Sequence, residues 1–413
     1  MPRNKGPSRV GTLLAGAAIG AGATAAVAYW LSKSPQTTPA QIRRNRALDL
    51  ALSRARATEA TSLLPGQRYV IFSDLHKGRR TPADEFRFCE ATYVAALEHY
   101  YKAGYTLVIL GDAEELWEEP DIGAVVQANL HVLESEARFH PERYVRVDGN
   151  HDNAWRIENL VKQHLDPIFP GIRVRREFLL QVSLEEGKTG EIFMVHGHQG
   201  TLDADIFDFL PPKLLPFYRD FQNITDLGHT SPSRDACLRG LQDTFMYRWA
   251  SAQKDLILIA GHTHRPVWTS QSHLDSLQNT LRYLQDHRQG YKREERLQKI
   301  RNLLAEIDER ERKYPPCNDT IKTRPCYFNT GCCVFEDGDI TGIEIDGRTA
   351  ASVEKDGQPA EMRLVKWGKP AGDEPEQARR FVRQELESQT LEEIFLRLYT
   401  RELGEAQPEG AHA

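Results

Sequence analysis

The sequence has few cysteines, and none of them forms a Cys-x-x-Cys pair. Six cysteines are spread over 413 residues, and only Cys332 and Cys333 are neighbours. A chain of this length can bury a sizeable hydrophobic core, so it does not need disulfides to hold it together. We therefore expect free thiols, with disulfide pairing as the alternative that the even count leaves open.

The sequence also has no excess of positive charge. Its 53 Lys and Arg residues are outnumbered by 59 Asp and Glu residues, which gives a formal net charge of −6. A protein that binds nucleic acid broadly needs clustered positive charge to neutralise phosphates. We therefore expect no nucleic-acid partner, and a nuclease activity is disfavoured for the same reason.

Long uncharged runs are scarce, with one exception near the amino terminus. Residues 10–32 carry no charge and follow a basic start at Arg3, Lys5 and Arg9. A helix over this run is long enough to cross a bilayer core of ~30 Å. We favour an uncleaved membrane anchor. The alternatives are a cleaved signal peptide, since residues 26–28 resemble an Ala-x-Ala cleavage site, and a soluble leader.

The anchor interpretation sets the expected location. Basic residues lie on both sides of the run, at Arg9 and Lys33, so the side of the membrane stays open. We expect a membrane-anchored protein, or a secreted or periplasmic one if the segment is cleaved. Gly16 and Gly20 have the spacing of a helix-dimer contact, which we attribute to chance in a run so rich in small residues.

Composition divides the chain into four stretches. They are a hydrophobic anchor or signal segment at 1–33, a polar linker with a short helix at 34–66, an α/β domain at 67–350, and a strand and helical tail at 351–413. In the tail, residues 374–403 have an amphipathic helical pattern. Its apolar stripe, which could dock on the domain, comprises Phe381, Leu391, Ile394, Phe395 and Leu398.

Two insertions are expected within the domain. The stretch 201–254 is a candidate substrate cap, although its aromatic residues can equally bury one another in a helical core. Those residues are Phe207, Phe209, Phe217, Tyr218, Phe221, Phe245 and Trp249. The stretch 271–325 has heptad-like spacing on both sides of Gly290, which predicts a helical hairpin. Its seam residues are Leu274, Leu277, Leu281, Leu284, Leu297, Ile300, Leu304 and Ile307. We favour self-packing of the hairpin, with a homodimer as the alternative.

Short apolar runs bounded by Gly, Asp, Asn or His predict the strands of the domain. The runs are 69–72, 107–110, 144–147, 192–195 and 256–259. Helical patterns separate some of them, at 85–102 and 153–165. A closing pair of strands at 327–328 and 333–335, followed by a run at 340–345, carries an Asp337-Gly338 turn and predicts a hairpin. Together these elements predict a layered α/β (α+β) sandwich.

Each predicted strand is followed by residues that can ligate metals. The motifs are Asp74-Leu75-His76, Asp112-Ala113-Glu114, Asn150-His151-Asp152, His196-Gly197-His198 and His262-Thr263-His264. The carboxyl ends of strands converge on one crevice in open α/β sheets, so these motifs should converge too. Carboxylate, amide and imidazole ligands suit Mn²⁺, Fe or Zn²⁺, and no thiolate belongs to the pattern.

A pair of divalent metals explains this choice of residue types. Two cations ~3.5–4 Å apart can hold both oxygens of an in-line phosphoryl displacement, and they turn a bound water into hydroxide near neutral pH. The pair needs a carboxylate that bridges it, and a separate imidazole can protonate the leaving group. Taken singly, each motif is typical of an ordinary turn. Taken together and in this order, they predict a phosphoesterase that uses metal-bound hydroxide.

The set of motifs resembles the calcineurin-like metallophosphoesterase superfamily over residues 67–348. The resemblance implies a four-layer αββα sandwich, to which this chain adds helical insertions and an N-terminal hydrophobic helix. It also implies two divalent metal ions, of which we expect Mn²⁺, with Fe or Zn²⁺ as alternatives.

The resemblance assigns a role to each motif residue. One metal would be bound by Asp74, His76 and His264, the other by Asn150, His196 and His262, and both by Asp112. The catalytic imidazole would be His151, with Asp152 either orienting it or supporting the ligand residues from behind. Candidate substrate-binding residues are His198, Arg79 and Arg265. His198 could instead support His196, and each arginine is equally well explained as a solvated loop charge. The same two interpretations apply to Lys77, whereas Trp117 is expected in the core.

Finer features are similar to the branch that includes UDP-2,3-diacylglucosamine hydrolases. They are Glu115-Leu116-Trp117, Arg265-Pro266 and Asn329-Thr330-Gly331. Those enzymes cleave a pyrophosphate beside a lipid, but that branch has Arg where this sequence has His151. We therefore expect a phosphorylated small-molecule or lipid-linked substrate. A membrane-tethered scaffold with a vestigial metal site is the alternative, which the complete ligand set disfavours.

Overall fold

The fold consists of two β-sheets and the helices that cover them. The computed structural model describes residues 38–81, 84–119, 121–184, 187–201, 236–272, 277–278, 281, 284–285, 293–313, 324–347, 359–369 and 381–405. These residues form two seven-stranded sheets and eight α-helices. The predicted mixed α/β class is confirmed.

Fourteen strands make up the two sheets. In chain order they are β1 Ala60–Ser62, β2 Arg68–Phe72, β3 Thr106–Leu110, β4 Tyr144–Val147, β5 Val174–Arg175, β6 Phe178–Ser183, β7 Thr189–Met194, β8 Leu256–Ala260, β9 Pro266–Trp268, β10 Gln271–Ser272, β11 Tyr327–Thr330, β12 Ile340–Asp346, β13 Glu361–Gly368 and β14 Val382–Thr390. We call the sheet with the order β1-β6-β7-β8-β11-β9-β10 sheet A, and the sheet with the order β14-β13-β12-β2-β3-β4-β5 sheet B.

Four of the eight helices have 15 residues or more, and the others are shorter. In chain order they are α1 Pro39–Thr58, α2 Glu90–Lys102, α3 Ile122–Ala128, α4 Leu130–Ala137, α5 Glu158–Leu160, α6 Ala236–Ser251, α7 Arg293–Lys313 and α8 Leu391–Glu405. The helix predicted at 153–165 is irregular: a 3₁₀ turn at Asn153–Arg156 precedes α5, and a π-helical turn at Val161–Leu165 follows it.

The central strands of both sheets are parallel. In sheet B, β2, β3, β4 and β5 run in one direction, and in sheet A, β7, β8 and β11 do so. The residues of these strands are buried on both faces, which is why the sequence shows continuous apolar runs there rather than an alternating pattern.

Sheet B separates two hydrophobic cores. Ile71 and Val108 lie in a core shared with sheet A and with helices α1, α6 and α8. Val70 and Leu107, one residue earlier on the same strands, lie in a core formed with α2, α3 and α4. Successive side chains of a strand point to opposite faces, so one strand serves both cores. The layers are therefore helices, sheet A, sheet B and helices.

The stretch predicted as a linker is largely a packed helix. The side chain of Thr38 caps α1 by accepting a hydrogen bond from the Gln41 N–H at 3.2 Å, and Pro39 occupies the first turn. The buried stripe of α1 consists of Leu48, Ala51, Leu52 and Ala55. β1 then pairs with β6. This stretch belongs to the fold because its apolar residues recur at helical spacing, a pattern that the many arginines obscure in the composition.

The hairpin predicted from the Asp337-Gly338 turn is wrong. β11 pairs with β8 and β9 in sheet A, whereas β12 pairs with β2 and β13 in sheet B. The turn itself is present, since Gly338 has a φ of 81°. The predicted strand at 333–335 is not a strand in the structure. This segment carries the chain from one sheet to the other, and the backbone N–H of Cys333 donates to the Asp74 carbonyl.

The carboxy-terminal tail extends sheet B before it forms a helix. β13 and β14 pair with each other next to β12, so part of the stretch predicted as helical is an edge strand. The predicted apolar stripe of α8 is confirmed, because Leu391, Ile394, Phe395 and Leu398 are buried in the shared core. Phe381 lies against the other core.

The predicted insertions are described only in part. In α6 the side chains of Phe245 and Trp249 are buried, as the core interpretation predicts. The other cap candidates, from Phe207 to Phe221, lie outside the described residues. Of the hairpin seam, Leu277, Leu284 and Ile307 are buried, whereas Leu297 and Leu304 on α7 are exposed.

The amino-terminal run at 10–32 lies outside the described residues, so the predicted N-terminal hydrophobic helix is not tested. No helix in the described part of the chain is both long and apolar enough to span a bilayer. The four cysteines with described side chains, Cys89, Cys326, Cys332 and Cys333, are buried and free, as predicted.

Candidate active site

The ligand-bearing motifs lie at the carboxyl ends of parallel strands in both sheets. In sheet B, Asp74 follows β2, Asp112 follows β3 and Asn150 follows β4. In sheet A, His196 follows β7 and His262 follows β8. Because the two sheets pack face to face, the five loops meet at one end of the sandwich, as the sequence predicts.

Among the described residues, three overlapping groups of donor atoms form where the loops meet. Two of them, which we call the two clusters, are Asp74, His76 and His264, and Asp112, His196 and His262; the third, His76, Asp112 and His151, shares residues with both. Within each cluster the candidate ligand atoms lie within 4.8 Å of one another. The Nε2 atoms of His76 and His264 are 3.1 Å apart, and His264 Nε2 is 3.2 Å from Asp74 Oδ1.

Asp112 belongs to the second cluster and also faces the first. Its Oδ2 is 3.0 Å from His196 Nε2 and 3.7 Å from His76 Nε2, so one carboxylate oxygen faces a histidine of each cluster. Its Oδ1 accepts the backbone N–H of His151 at 2.8 Å. The Oδ1 of Asn150 is 3.1 Å from His196 Nε2, on the same side as the second cluster.

The hydrogen bonds of the histidines leave their Nε2 atoms facing the clusters. The Nδ1 of His196 donates to the carbonyl of Leu110 at 2.9 Å. The Nδ1 of His76 donates to Glu115 at 2.9 Å. When the protein holds the proton on Nδ1, the lone pair on Nε2 is available to a metal.

The backbone at the ligand positions is strained. Five candidate ligands have left-handed backbone angles, with φ of 54° at Asp74, 47° at His76, 51° at Asp112, 70° at His262 and 54° at His264. Such conformations cost about 1–3 kcal/mol each and persist only where surrounding contacts enforce them. Because five such conformations occur in these loops, the loops hold the ligand side chains in place at a cost in stability.

Two glycines beside the ligands are required by close approach. A Cβ on Gly261 would lie 2.5 Å from Asp74 Oδ2, and a Cβ on Gly149 would overlap Asp112 Oδ1. Neither position has room for a side chain. The glycines therefore let neighbouring ligand loops approach each other within van der Waals contact.

His151 is held from two sides. Its Nδ1 is 2.9 and 2.8 Å from the two carboxylate oxygens of Glu115, to which it donates. The indole of Trp117 stacks on the imidazole, with ring centroids 4.4 Å apart and an interplanar angle of 28°. Trp117 is half-buried. It therefore lies at the site, and the expectation that it belongs to the core is wrong.

Of the two roles predicted for Asp152, its contacts fit support of the ligand loops and not orientation of His151. Its carboxylate accepts the backbone N–H groups of Ala113 and Gly149, at 2.9 and 2.6 Å, and has no bond to the His151 ring among the described contacts. Asp152 thus ties two ligand loops together, and Glu115 orients His151. Burial and the charges of Asp112 and Glu114 raise the pKa of Asp152 to about 7.

A buried ion network lies behind Glu115. Lys77 is fully buried and contacts Glu136 at 2.6 Å and Glu114 at 3.2 Å. Arg146 pairs with Glu114 as well. Lys77 is therefore not a loop cation that faces a substrate, because its ammonium group is enclosed between two carboxylates.

The electrostatics of the clusters favour bound cations. Burial opposes the protonation of His196, but the charges of Asp112 and Asp74 raise its pKa to about 10. Burial likewise opposes the protonation of His76, yet its hydrogen bond to Glu115 and the charge of Asp112 raise its pKa to about 9. Burial and the charge of His196 lower the pKa of His262 to about 3. The negative charges of the buried carboxylates therefore stabilise positive charge within the clusters, whether on a histidine or on a metal ion.

The donor set fits a pair of divalent metals. The two clusters offer carboxylate and imidazole atoms, Asn150 adds an amide oxygen, and no thiolate takes part. This combination suits Mn²⁺, Fe or Zn²⁺. The two clusters are linked by a carboxylate that faces both, as a metal pair requires.

The candidate substrate-binding residues occupy three different environments. His198 is buried, and its Nε2 lies 3.3 Å from the guanidinium of Arg156. Arg265 donates to Asp243 from Nε at 3.0 Å and from Nη2 at 2.5 Å. Arg79 is exposed and lies 3.5 Å from Glu119. The structure brings His198 and Arg265 to the ligand loops, whereas Arg79 is a surface charge.

The sequence motifs predict no role for two carboxylates at the site. Glu115 belongs to one of the motifs, and its place three residues after Asp112 is a usable signal. Asp243 lies in α6, far from every motif in sequence, and nothing local distinguishes it from other helical acids.

Residues 67–266 match the family model described as calcineurin-like phosphoesterase. The match includes every candidate metal ligand in both donor clusters. No curated protein matches the sequence at a significant level.

Proposed function

Because residues 67–266 are a calcineurin-like phosphoesterase domain, the chain is a hydrolase of phosphoric ester bonds, and we propose that it uses two divalent metals. The observation that carries this proposal is the pair of donor clusters linked by Asp112. Asp74, His76 and His264 would hold one metal, and Asn150, His196 and His262 the other. When bound, such a pair neutralises charge on the phosphoryl oxygens and activates water for attack.

The chain's own residues supply the proton for the leaving group. His151 is the candidate general acid, since Glu115 accepts its Nδ1–H and fixes the orientation of the ring. Trp117 covers one face of the imidazole and restricts its rotation. The geometry therefore presents an oriented imidazole beside the two clusters.

The proposed substrate is a phosphate monoester, phosphodiester or pyrophosphate on a small molecule or a lipid. The similarity to UDP-2,3-diacylglucosamine hydrolases supports the lipid-linked class, and the presence of His151 instead of Arg speaks against that particular substrate. The uncharged run at 10–32 supports membrane attachment, which carbonate extraction of membranes from expressing cells would test. A substrate screen covering both classes would decide between them.

The test of the proposed function is substitution of the shared carboxylate. We expect the Mn²⁺-loaded protein to hydrolyse p-nitrophenyl phosphate or its bis ester, and Asp112→Ala to fall to the background rate. Asp121→Ala is the matched control, because Asp121 is an exposed helix cap whose side chain accepts the Ala124 N–H. Equal activity of Asp112→Ala and wild type would refute the assignment.

Metal analysis separates the enzyme from the scaffold alternative. Protein purified without chelators should contain about two transition-metal ions per chain, with Mn²⁺ the proposed species. A protein free of metal and inactive on the whole substrate panel would instead support the scaffold.

A further inference from the structure

Two consecutive residues of α6 are buried against the ligand loops of sheet A. Gln242 and Asp243 have exposed fractions of 2% and 0%. A carboxylate removed from water is strongly unfavourable unless donors surround it. The groups that donate to Asp243 therefore indicate its role.

Three side chains donate hydrogen bonds to Asp243. Thr263 Oγ1 lies 3.2 Å from Oδ1, and the Tyr327 hydroxyl lies 2.7 Å from the same oxygen. The guanidinium of Arg265 donates to Oδ2 through two nitrogens, at 3.0 and 2.5 Å. Both carboxylate oxygens are thus engaged.

Two of these donors alternate with metal-ligand candidates along the chain. Thr263 lies between His262 and His264, and Arg265 follows His264. Asp243 therefore accepts hydrogen bonds from the residues on both sides of His264. Since both histidines have left-handed backbone angles, a contact that enforces the loop conformation is needed for them to point into the clusters.

The side-chain amide of Asn329 orders the two hydroxyl groups that contact Asp243. Asn329 Nδ2 donates to the Gly261 carbonyl at 2.6 Å and lies 3.2 Å from Thr263 Oγ1 and 3.1 Å from the Tyr327 hydroxyl. The two hydroxyls accept from the amide and donate their own protons to Asp243. Removing the carboxylate would leave both hydroxyls without this buried acceptor.

Gln242 extends the same support to the other ligand loop of sheet A. Its Nε2 donates to the carbonyl of Gly197, the residue after His196. One turn of α6 thus contacts the loops that carry three of the candidate ligands. The sequence between these loops includes α6 itself, which explains how a helix outside the motifs can hold them.

We propose that Asp243 is a positioning residue that sets the affinity of the site for its metals, an inference that rests on the proposed dinuclear function. It touches neither substrate nor metal, and it acts through Thr263 and Arg265 on His262 and His264. Arg265, which donates to Asp243, accordingly helps to hold this loop and is not assigned to substrate binding.

The test is metal affinity in the folded protein. Metal-free Asp243→Asn and Asp243→Ala, checked for folding by circular dichroism, are titrated with Mn²⁺ by calorimetry. We expect the dissociation constant to rise about 10–100-fold, as for other residues that support metal ligands. At saturating Mn²⁺ the kcat should recover toward the wild-type value, and Asp243→Glu should restore part of the affinity.

A matched variant separates this effect from a loss of stability. Phe395→Ala removes a buried side chain of α8 that packs on Gly190 of β7, so it should lower stability and leave the Mn²⁺ affinity unchanged. If the Asp243 variants do not fold, Tyr327→Phe removes one donor and is expected to weaken Mn²⁺ binding severalfold.

Three results would overturn the proposal in distinguishable ways. Folded Asp243→Asn with wild-type Mn²⁺ affinity would make Asp243 a purely structural residue. If the Asp243 variants are unfolded, an unchanged Mn²⁺ affinity in Tyr327→Phe would likewise indicate that Asp243 is purely structural. A wild-type protein that binds no Mn²⁺, Fe or Zn²⁺ would remove the proposed dinuclear function together with this inference.

Discussion

At the scale of single residues, the site depends on carboxylates that are not themselves candidate metal ligands. They contact the ligand residues or the candidate acid instead. Glu115 is the clearest case, because its carboxylate accepts from Nδ1 of both His76 and His151. Its pKa is lowered by its two histidine partners, against the effect of burial. One ionised side chain thus sets the tautomer of a candidate ligand and the orientation of the candidate acid.

The contribution of Glu115 should depend on the leaving group. Glu115→Gln keeps the size but can no longer serve both imidazoles as an anionic acceptor. We expect kcat to fall about 10²-fold for an alkyl phosphate, whose leaving oxygen needs a proton, and by much less for p-nitrophenyl phosphate. Steady-state kinetics on both substrates measures the difference.

The control for this prediction is Glu118→Gln, three residues along the same loop. Glu118 is exposed, so its substitution should leave both rates unchanged. An equal loss on both substrates for Glu115→Gln would contradict a role in proton transfer and would indicate an effect on metal binding instead.

At the scale of secondary-structure elements, α8 shows how the tail becomes part of the fold. Phe395 packs directly on Gly190 of β7, where a Cβ would overlap its ring. The glycine leaves a groove in the outer face of sheet A, and the aromatic ring fills it. The tail is therefore held by specific packing and not only by its amphipathic pattern.

Removal of the Phe395 ring should lower the free energy of unfolding substantially. Phe395→Ala deletes a fully buried aromatic side chain, and we expect a loss of about 3–5 kcal/mol. Leu396→Ala, on the next residue of the same helix but 52% exposed, should change stability by less than about 0.5 kcal/mol. Urea unfolding of the metal-free variants compares them, and similar losses for both would argue against docking of α8.

At the scale of the whole molecule, the buried ion network joins the site to the body of sheet B. Lys77 follows β2, Glu114 follows β3, Arg146 lies in β4 and Glu136 lies in α4. These four side chains are completely buried and pair with one another. Charges from four separate elements neutralise one another, so the network forms only when all of them are in place.

Removal of one partner should therefore affect global stability. Lys77→Met leaves two buried carboxylates without their ammonium partner, and we expect a loss of about 3–5 kcal/mol. Lys102→Met breaks an exposed pair with Glu98, at 2.8 Å, and should cost no more than about 1 kcal/mol.

Both lysine variants should be unfolded in urea with a chelator present, because bound metal would stabilise the native state by mass action. Equal unfolding free energies for Lys77→Met and Lys102→Met would show that the buried network is dispensable.

The sequence by itself determined the kinds of ligand and their order along the chain. Short apolar runs ending in Asp, Asn and His can be recognised locally, since strand composition and turn chemistry act over a few residues. Parallel strands place their carboxyl ends together, so convergence of Asp74, Asp112 and His262 could be predicted too. The apolar stripe of α8 was readable for the same reason, as a helical repeat.

Only the tertiary structure decided which residues support those ligands. Asp152 is adjacent to His151 in the sequence and Glu115 is 36 residues away, yet the packing of the loops places Glu115 against the imidazole. The closing strands resemble a hairpin along the chain, yet β11 pairs in sheet A and β12 in sheet B. Asp243 reaches the site from α6. Contacts between distant segments depend on how the sheets and helices pack, and local sequence patterns do not encode that arrangement.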